Sequence, residues 1–491
     1  MSRRLASRSV WDERAAVPAL RELAAQAFSR AAGAPLVDGN RIRILKDAGE
    51  NYPAWLEAIR AAKRHVHFES YFIRDDEIGR EFADALIAKA GDGVKVRLIY
   101  DWLGNFGKAS RGFWARLRSA GVEVRCYNPP QLDSPLAWLS RDHRKMVEVD
   151  GETAFISGLC VASTWIGDPS RGIEPWRDTG VEIRGPAVAE IARSFSWAWA
   201  SMGGPLPETE YGTQTQEVGE ASLRIVATEP ATAGMLRLDQ LVAALARKRL
   251  WLTDAYYAGT SSYVQALRAA AQDGVDVRLL VPNATDIPLL RPLSRTGYRP
   301  LLEAGVRVFE WNGTMLHAKT AVMDGHWARV GSTNLNIASW LGNRELDAVV
   351  EDRPFAQAME SLYEQDLGNA TEVVLDEKRR MRAPGEPAHP RAATASGSAS
   401  RAAAGAMRFG RTIGAALTNR RVLEPIEARL ALGMGAALIL LALLFAVFPH
   451  ALAYPLVALG VWAGAALLVR GYRLRRDSAR PPVDRRDPRS H

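Results

Sequence analysis

These 491 residues predict an α/β protein built from two copies of one unit and followed by a membrane-spanning helical hairpin. Three observations lead there. Strand patterns return at a nearly constant offset, strands alternate with helical runs, and two long uncharged stretches lie near the C-terminus. Gly93-Val-Lys-Val-Arg-Leu-Ile returns 181 residues later as Gly274-Val-Asp-Val-Arg-Leu-Leu. Ala120-Gly-Val-Glu-Val-Arg returns 184 residues later as Ala304-Gly-Val-Arg-Val-Phe. His65-Val-His-Phe-Glu-Ser-Tyr-Phe is matched more loosely by Arg249-Leu-Trp-Leu-Thr-Asp-Ala-Tyr-Tyr. Helical runs such as Arg80 to Ala90 and Tyr263 to Ala271 sit between the strands, which argues for α/β layers around a mostly parallel sheet.

The elements follow in order. Residues 1–40 form an N-terminal segment with a short amphipathic helix from Ala15 to Phe28, and no 7–15-residue apolar run that would mark a secretory signal. The first copy spans 41–205 and the second 206–380, meeting near the polar, Gly- and Pro-containing stretch Gly203 to Gly219. Residues 381–406, rich in Ala, Pro, Ser and Gly, read as a flexible linker. A basic juxtamembrane segment, 407–429, precedes the hairpin at 430–470, and a basic tail covers 471–491.

In the hairpin, Leu430 to Phe448 and Ala451 to Val469 are 19 residues each without a charge. At 1.5 Å per residue each can cross a hydrocarbon core of about 30 Å. Only Pro449 and His450 separate them, so both ends emerge on one side. Arg420, Arg421 and Arg429 lie before the pair and Arg470, Arg473, Arg475, Arg476 and Arg480 after it, whereas the turn has no Lys or Arg. The positive-inside rule puts both flanks, and the body with them, in the cytoplasm. Gly460 and Gly464 form a GxxxG that adds little in segments so rich in Gly and Ala.

The formal charge of +8 invites a nucleic-acid reading, but its distribution argues against one. Residues 378–491 hold 19 Lys and Arg against 6 Asp and Glu, a net +13. Residues 1–377 hold 44 against 49, a net −5. The basic flanks would instead gather anionic lipids, at about 1 kcal/mol per Lys or Arg near the surface. Cys126 and Cys160 are the only thiols and read as reduced residues of a reducing compartment.

Two stretches carry the chemistry: His143-Arg-Lys-Met-Val-Glu-Val-Asp150 and His317-Ala-Lys-Thr-Ala-Val-Met-Asp324. Both fit H-x-K-x4-D. With 8 His, 9 Lys and 26 Asp in the chain, chance supplies roughly 0.008 such matches. Each falls late in its own copy. Side chains at i and i+2 share a strand face, so His143 points with Lys145 and His317 with Lys319. Asp150 and Asp324 have the opposite parity and read as hydrogen-bonding residues behind the site. Two His and two Lys converging on a pseudo-two-fold axis make a compact site for a phosphate diester. The lysines face the non-bridging oxygens, one imidazole attacks phosphorus and the other protonates the departing alkoxide. No Cys/His cluster has zinc spacing and no Walker-type loop is present, and the paired residues leave no task for a metal or cofactor. His65, His67 and His326, outside the motifs, read as ordinary strand or turn residues, and Ser196-Trp197-Ala198-Trp199 as a buried helix face.

With these residues in view, the sequence resembles the phospholipase D superfamily, and within it the bacterial cardiolipin synthases, over about residues 40–375. The resemblance rests on both HxKxxxxD motifs and on Ser157-Gly158 and Gly331-Ser332-Thr333-Asn334 after them. Phe68-Glu69-Ser70-Tyr71 and Trp176-Arg177-Asp178, with Arg184-Gly185-Pro186-Ala187, add to it. It implies two phospholipase D-like α/β sandwich units sharing one active site at their interface, a phosphohistidine intermediate and no metal. By the same resemblance His143 is the nucleophile and His317 the general acid, then base, with Lys145, Lys319, Asp150 and Asp324 completing the catalytic set. Ser332 and Asn334 stand in the post-motif loop as phosphate-binding or orienting residues.

Asp178 and Glu345 occupy corresponding places, in Trp-Arg-Asp and Asn-Arg-Glu, and are candidates to orient the imidazoles, either within a copy or crossed between copies. Their alternative is pairing with neighbouring Arg177 or Arg344. One departure from the family pattern is Cys160, which stands where the first copy should carry the counterpart of Asn334 and is a poorer hydrogen-bonding group than an amide.

The implied activity is phosphatidyl transfer between two phosphatidylglycerols, giving cardiolipin and glycerol. A phospholipase D-type hydrolase is the alternative, and a nuclease is disfavoured by the acidic body. A non-enzymatic membrane scaffold is disfavoured by the two intact His-Lys pairs. Anionic phospholipid and membrane are the expected partners, and no nucleic acid is expected.

Overall fold

The computed structural model describes residues 18–130, 140–211, 216–286, 294–375 and short stretches between 436 and 468. The chain divides into two units. One, Met1–Tyr127 with Arg141–Asn419, holds both repeats; the other comprises Asn128–Ser140 and Arg420–His491.

In the first unit, helix α1 (Pro18–Ala32) leads into the first repeat: β1 (Val37–Lys46), α2 (Asp47–Ala61), β2 (His65–Ser70), α3 (Glu77–Gly91), β3 (Lys95–Asp101), α4 (Arg111–Ser119), β4 (Glu123–Tyr127), β5 (Lys145–Val149), β6 (Thr153–Ser157), β7 (Thr179–Arg184) and α5 (Ala187–Ala200). The second repeat runs β8 (Ala221–Thr228), α6 (Gly234–Leu245), β9 (Arg249–Thr253), α7 (Ser261–Gln272), β10 (Asp276–Ala284), α8 (Tyr298–Glu303), β11 (Arg307–Met315), β12 (Thr320–Met323), β13 (Trp327–Gly331), β14 (Glu345–Glu351), α9 (Arg353–Leu367) and β15 (Ala370–Val373). Several helices start where a side chain can take an orphan backbone N–H: Asp76 for α3, Ser110 for α4, Thr260 for α7 and Asp352 for α9.

The strands form one continuous sheet in the order β15-β11-β10-β9-β12-β13-β14-β8-β1-β7-β6-β5-β2-β3-β4. Apart from β15, this order reads the same from either end: β4-β3-β2-β5-β6-β7-β1 in one half mirrors β11-β10-β9-β12-β13-β14-β8 in the other. The duplication inferred from sequence is therefore physical, and the halves join where β1 pairs with β8, Val37 opposite Leu223 and Asn40 opposite Ala221.

The expectation of a mostly parallel sheet is corrected. Only β2–β3–β4 and β9–β10–β11 pair in parallel, each joined through a helix; the other pairings are antiparallel. Hairpin turns connect β5 to β6 and β12 to β13, and a strand that returns through a turn this short can only run antiparallel.

Both hairpins turn on the aspartate of the motif. Asp150 and Asp324 adopt positive φ, 57° and 52°, and each is followed by a glycine at positive φ, Gly151 and Gly325.

Four cores hold the layers, the smallest being Trp251, Leu280, Phe309, Leu316, Ala318 and Tyr363. Tyr52, Trp55, Phe68, Phe82 and Phe155 pack one outer face, and Met235, Leu238, Leu267, Leu279 and Trp340 pack the other. The third draws on both repeats, with Val188, Ile191 and Phe195 of α5 and Phe355 and Met359 of α9 over Ile156, Val181, Ile225, Val330 and Leu346. Helix α1 adds Phe28 and Ala32 to the second repeat's core.

Among the described residues no helix is long and apolar enough to cross a membrane. Most of the hairpin expected at 430–470 lies outside the described residues. Those that are described include helical turns at 439–445 and 453–458 with exposed Leu440 and Val457. The linker at 381–406, the segment 407–429 and the tail 471–491 lie outside the described residues.

Candidate active site

Each motif histidine sits just before a strand, with Lys145 opening β5 and Lys319 immediately preceding β12, and a backbone bridge to the other repeat fixes the histidine there. Asp142 bridges Arg344, and His143 N–H donates to the Arg344 carbonyl at 2.9 Å. In mirror image, Leu316 bridges Arg177, and His317 N–H donates to the Arg177 carbonyl at 2.7 Å. The residues after those arginines are Glu345 and Asp178. The His–carboxylate contacts are therefore crossed between the copies: His143 Nδ1 lies 2.8 Å from Glu345 Oε2, and His317 Nδ1 lies 2.8 Å from Asp178 Oδ2.

Both carboxylates are fully buried and built in. Glu345 accepts from Ser332 Oγ (2.6 Å) and Asn343 Nδ2 (3.2 Å). Asp178 accepts from Trp165 Nε1 (3.1 Å) and the Thr179 N–H (2.8 Å). Gly158 lies so close to the Asp178 carboxylate, and Gly331 to the Asp347 carboxylate, that a Cβ at either would overlap it. The post-motif loops thus need glycine for close approach.

The alternative of pairing with the adjacent arginines is not realised. Arg177 is bidentate to Asp366, 2.8 Å on each arm, and Arg344 reaches Glu229 at 2.8 Å.

Burial pushes both carboxylates up, but the partner histidines and nearby lysines outweigh it and hold them below their ordinary values. As ionised acceptors they require N–H at each Nδ1, which leaves the Nε2 lone pairs for reaction. Lys319 Nζ also comes 2.9 Å from His317 Nδ1, but with that proton committed to Asp178 it donates to the His317 carbonyl. Lys145 bonds the His143 carbonyl in the same way.

Burial lowers His143, and Lys145 and Lys319 add to the effect against Glu345. Burial with Lys319 and Lys145 pushes His317 down to about 4. Burial brings Lys319 down to about 8, opposed by Asp178 and helped by Lys145. That each lysine acts on the histidine of the other half places all four side chains in one electrostatic site.

Aromatic rings wall it. Tyr71 meets His143 edge-on at 5.1 Å, and Tyr256 meets His317 edge-on at 5.6 Å. Trp165 and Trp176 lie 5.4 and 5.8 Å from His317. The sequence reading missed these tyrosines as site residues, although they occupy matching places after β2 and β9 in the loosely repeated strand pattern.

It also missed Asp254, a buried carboxylate that accepts from the N–H groups of Leu335 (2.8 Å) and Tyr256 (3.1 Å). It thereby fixes both the Asn334 loop and the tyrosine. Burial pushes Asp254 up to about 7.

Asn334 is buried with no hydrogen bond to its Oδ1 among the described residues. At the equivalent place Cys160 is buried, its thiol pushed up by burial. Ser332 Oγ donates to Glu345 Oε2 and accepts from the Leu346 N–H.

Asp150 and Asp324 stand apart from this cluster. Asp150 takes the N–H groups of Lys63, Arg64 and His65 (2.7–2.8 Å), and Asp324 those of Arg247, Lys248 and Arg249 (2.8–2.9 Å). Five residue steps along β5 separate Lys145 from Asp150, roughly 16 Å. The motif aspartates pin the hairpin corners rather than join the reacting groups.

A site of this kind, with two carboxylate-backed imidazoles and two lysines at the seam of a duplicated α/β unit, can perform in-line transfer at a phosphate diester. The family model described as "Cardiolipin synthase, PLD-like domain" matches residues 55–199 and 242–367. The chain is 31% identical over 357 residues to a cardiolipin synthase of Halalkalibacterium halodurans, covering 71% of this chain and 70% of that protein. It is 32% identical over 364 residues to cardiolipin synthase A of Pseudomonas aeruginosa, covering 73% of each. The crystal structure of phosphatidylserine synthase from Haemophilus influenzae shares the fold, with a TM-score of 0.56 at 15% identity over 71% of this chain and 91% of that one. The chain belongs to the cardiolipin synthase family of phospholipase D-like proteins, and is a phospholipid phosphatidyltransferase.

Proposed function

We propose that the chain joins two phosphatidylglycerols into cardiolipin and glycerol through a phosphohistidine. The observation that carries this reading is the crossed pair of His–carboxylate contacts, which presents two Nε2 atoms and two lysine charges to one space. His143 Nε2 attacks phosphorus, the bond from phosphorus to the glycerol oxygen breaks, and His317 supplies the proton that glycerol carries away. The hydroxyl of a second phosphatidylglycerol then gives its proton to His317 and attacks phosphorus, and the P–N bond breaks. Lys145, Lys319 and Asn334 hold the non-bridging oxygens.

Lipid as substrate is supported by the exposed apolar side chains around the site. Leu103 and Phe106 project from the loop packed on Tyr71, Ile166 follows Trp165, and Ile337 follows Asn336, which bonds the Tyr256 carbonyl. The hairpin at 430–470 and its arginine flanks support an anchor in the bacterial inner membrane with the catalytic body on the cytoplasmic side.

Purified full-length protein with labelled phosphatidylglycerol in detergent micelles tests the reading. Cardiolipin with equimolar glycerol is the expected result. Phosphatidic acid as the sole product would replace it with hydrolysis.

A further inference from the structure

We propose that His65, His67 and Glu148 form a structural divalent-metal site of the zinc type, separate from the catalytic centre. The sheet places the three together. His65 and His67 are two apart on β2 and share a face, and Glu148 of β5 is directly opposite His67. One ligand atom from each lies within 4.8 Å of the other two, and among the described residues this is the one such group of three. The three residues are 2%, 0% and 0% exposed.

Of their mutual contacts only that of His65 with Glu148 closes as a hydrogen bond. His65 Nε2 is 3.2 Å from Glu148 Oε1. His67 Nδ1 is 2.6 Å from Glu148 Oε2, yet neither of these two atoms has a hydrogen-bond partner, nor does His67 Nε2. The carboxylate oxygen is near the ring nitrogen but off the direction its N–H would point. Buried polar atoms left this way in a protein interior call for another partner.

An ion about 2.0–2.2 Å from His65 Nε2, His67 Nδ1 and Glu148 Oε2 would take all three lone pairs, with tetrahedral ligand separations of about 3.4 Å. That spacing is wider than the 2.6 Å between His67 Nδ1 and Glu148 Oε2 and falls within the 4.8 Å that bounds all three ligand atoms. Two imidazoles and a carboxylate suit zinc among the common ions.

The surroundings fit as well. A metal-bound imidazole commonly turns its other nitrogen to a carboxylate. Here His67 Nε2 faces Glu210 Oε2 at 3.6 Å, and Glu210 is held by Arg97. The Gly151 N–H steadies Glu148 Oε1, and Phe195 stacks on His67 at 4.5 Å to fix its ring. The ion would clip β2 to β5 at the end away from Lys145, which pairs with Ser70 at the far end of β2.

Full-length protein is stripped with chelator, dialysed against zinc or cobalt and then against metal-free buffer. We expect one zinc retained per chain and the intense visible bands of four-coordinate cobalt. Both should be lost in Glu148→Gln and His65→Gln and kept in His326→Gln, a histidine outside the cluster. A zinc-dependent rise in the thermal midpoint should likewise vanish in the first two variants. The cobalt spectrum of the unaltered protein decides the matter even if a variant misfolds. Zinc retention no greater than that of Glu148→Gln, with no four-coordinate cobalt spectrum, would overturn the site and leave a protonated His67 bridging Glu148 and Glu210.

Discussion

Asp178→Asn is the sharpest single test of the crossed arrangement, because it removes a charge while keeping the shape. Asp178 takes three donors: Thr179 N–H on Oδ1, and His317 Nδ1 and Trp165 Nε1 on Oδ2. An asparagine has one oxygen. If that oxygen faces Thr179, the amide N–H₂ confronts two ring N–H groups; if it faces the rings, the N–H₂ confronts Thr179. Either way a buried donor loses its acceptor, at about 1–3 kcal/mol of stability. The charged bond to His317 is lost as well, about 1.5–3 kcal/mol for a hydrogen bond to an ionised group. At 1.36 kcal/mol per factor of ten, that is roughly a 10- to 150-fold fall in kcat, and more where the amide reverses the imidazole tautomer. The assay is cardiolipin formation from labelled phosphatidylglycerol in micelles, at a temperature where the thermal midpoint shows the variant folded. A folded Asp178→Asn within twofold of wild-type kcat would refute the assignment of Asp178 as the group that orients His317.

Four further outcomes follow from the same geometry. Cys160→Ala should keep substantial activity while His143→Ala loses it, since the thiol is buried and held protonated; near-complete loss with Cys160→Ala would contradict this. Lys319, brought down to about 8 chiefly by burial, must be protonated to hold the substrate anion, so kcat/KM should fall as pH rises through about 8. Lys145→Met removes a like charge, so in a pH profile this alkaline limb should move upward even though the rate is lower. Phe106→Ser combined with Ile337→Ser should raise KM for phosphatidylglycerol in vesicles and leave turnover of a monomeric short-chain analogue unchanged; equal effects on both would count against a lipid-facing rim. Binding of an unreactive phosphate diester at neutral pH should take up about one proton, read from calorimetry in buffers of different ionisation enthalpy. Uptake near zero would mean that no imidazole becomes protonated on binding.

What was legible in the sequence was local. The repeat offset, the two His-Lys pairs and the glycines of the post-motif loops depend on neighbours along the chain, and they stand where the pattern put them. What was not legible depends on partners far apart. Whether Asp178 serves His143 or His317 is settled by backbone bridges between Arg177 and Leu316 and between Asp142 and Arg344. No periodicity encodes those. Likewise β2 and β9 look alike whether their sheet is mostly parallel or mixed, and the hairpins at Asp150 and Asp324 decide it. Parity alone sets the motif aspartates behind the site, but does not reveal that each caps three backbone N–H groups of a distant segment. His65 and His67 pass for ordinary strand residues because Glu148 is more than 80 residues away in sequence.

The crossing has a consequence for the chemistry. Each imidazole meets the other copy's carboxylate, so neither copy builds its His–carboxylate pair alone, and the bridges Asp142–Arg344 and Arg177–Leu316 are what bring the pairs together. The free site is nearly neutral: two lysine charges face Asp178 and Glu345, both imidazoles are uncharged, and Asp254, at about 7, adds only part of a charge. A phosphate diester brings one more negative charge into this buried space, and a proton on one imidazole restores the balance. The anion also opposes the lysines that hold His317 down to about 4. In the mechanism proposed above the substrate thus creates the general acid it needs on arrival, while the other imidazole keeps the lone pair required for attack.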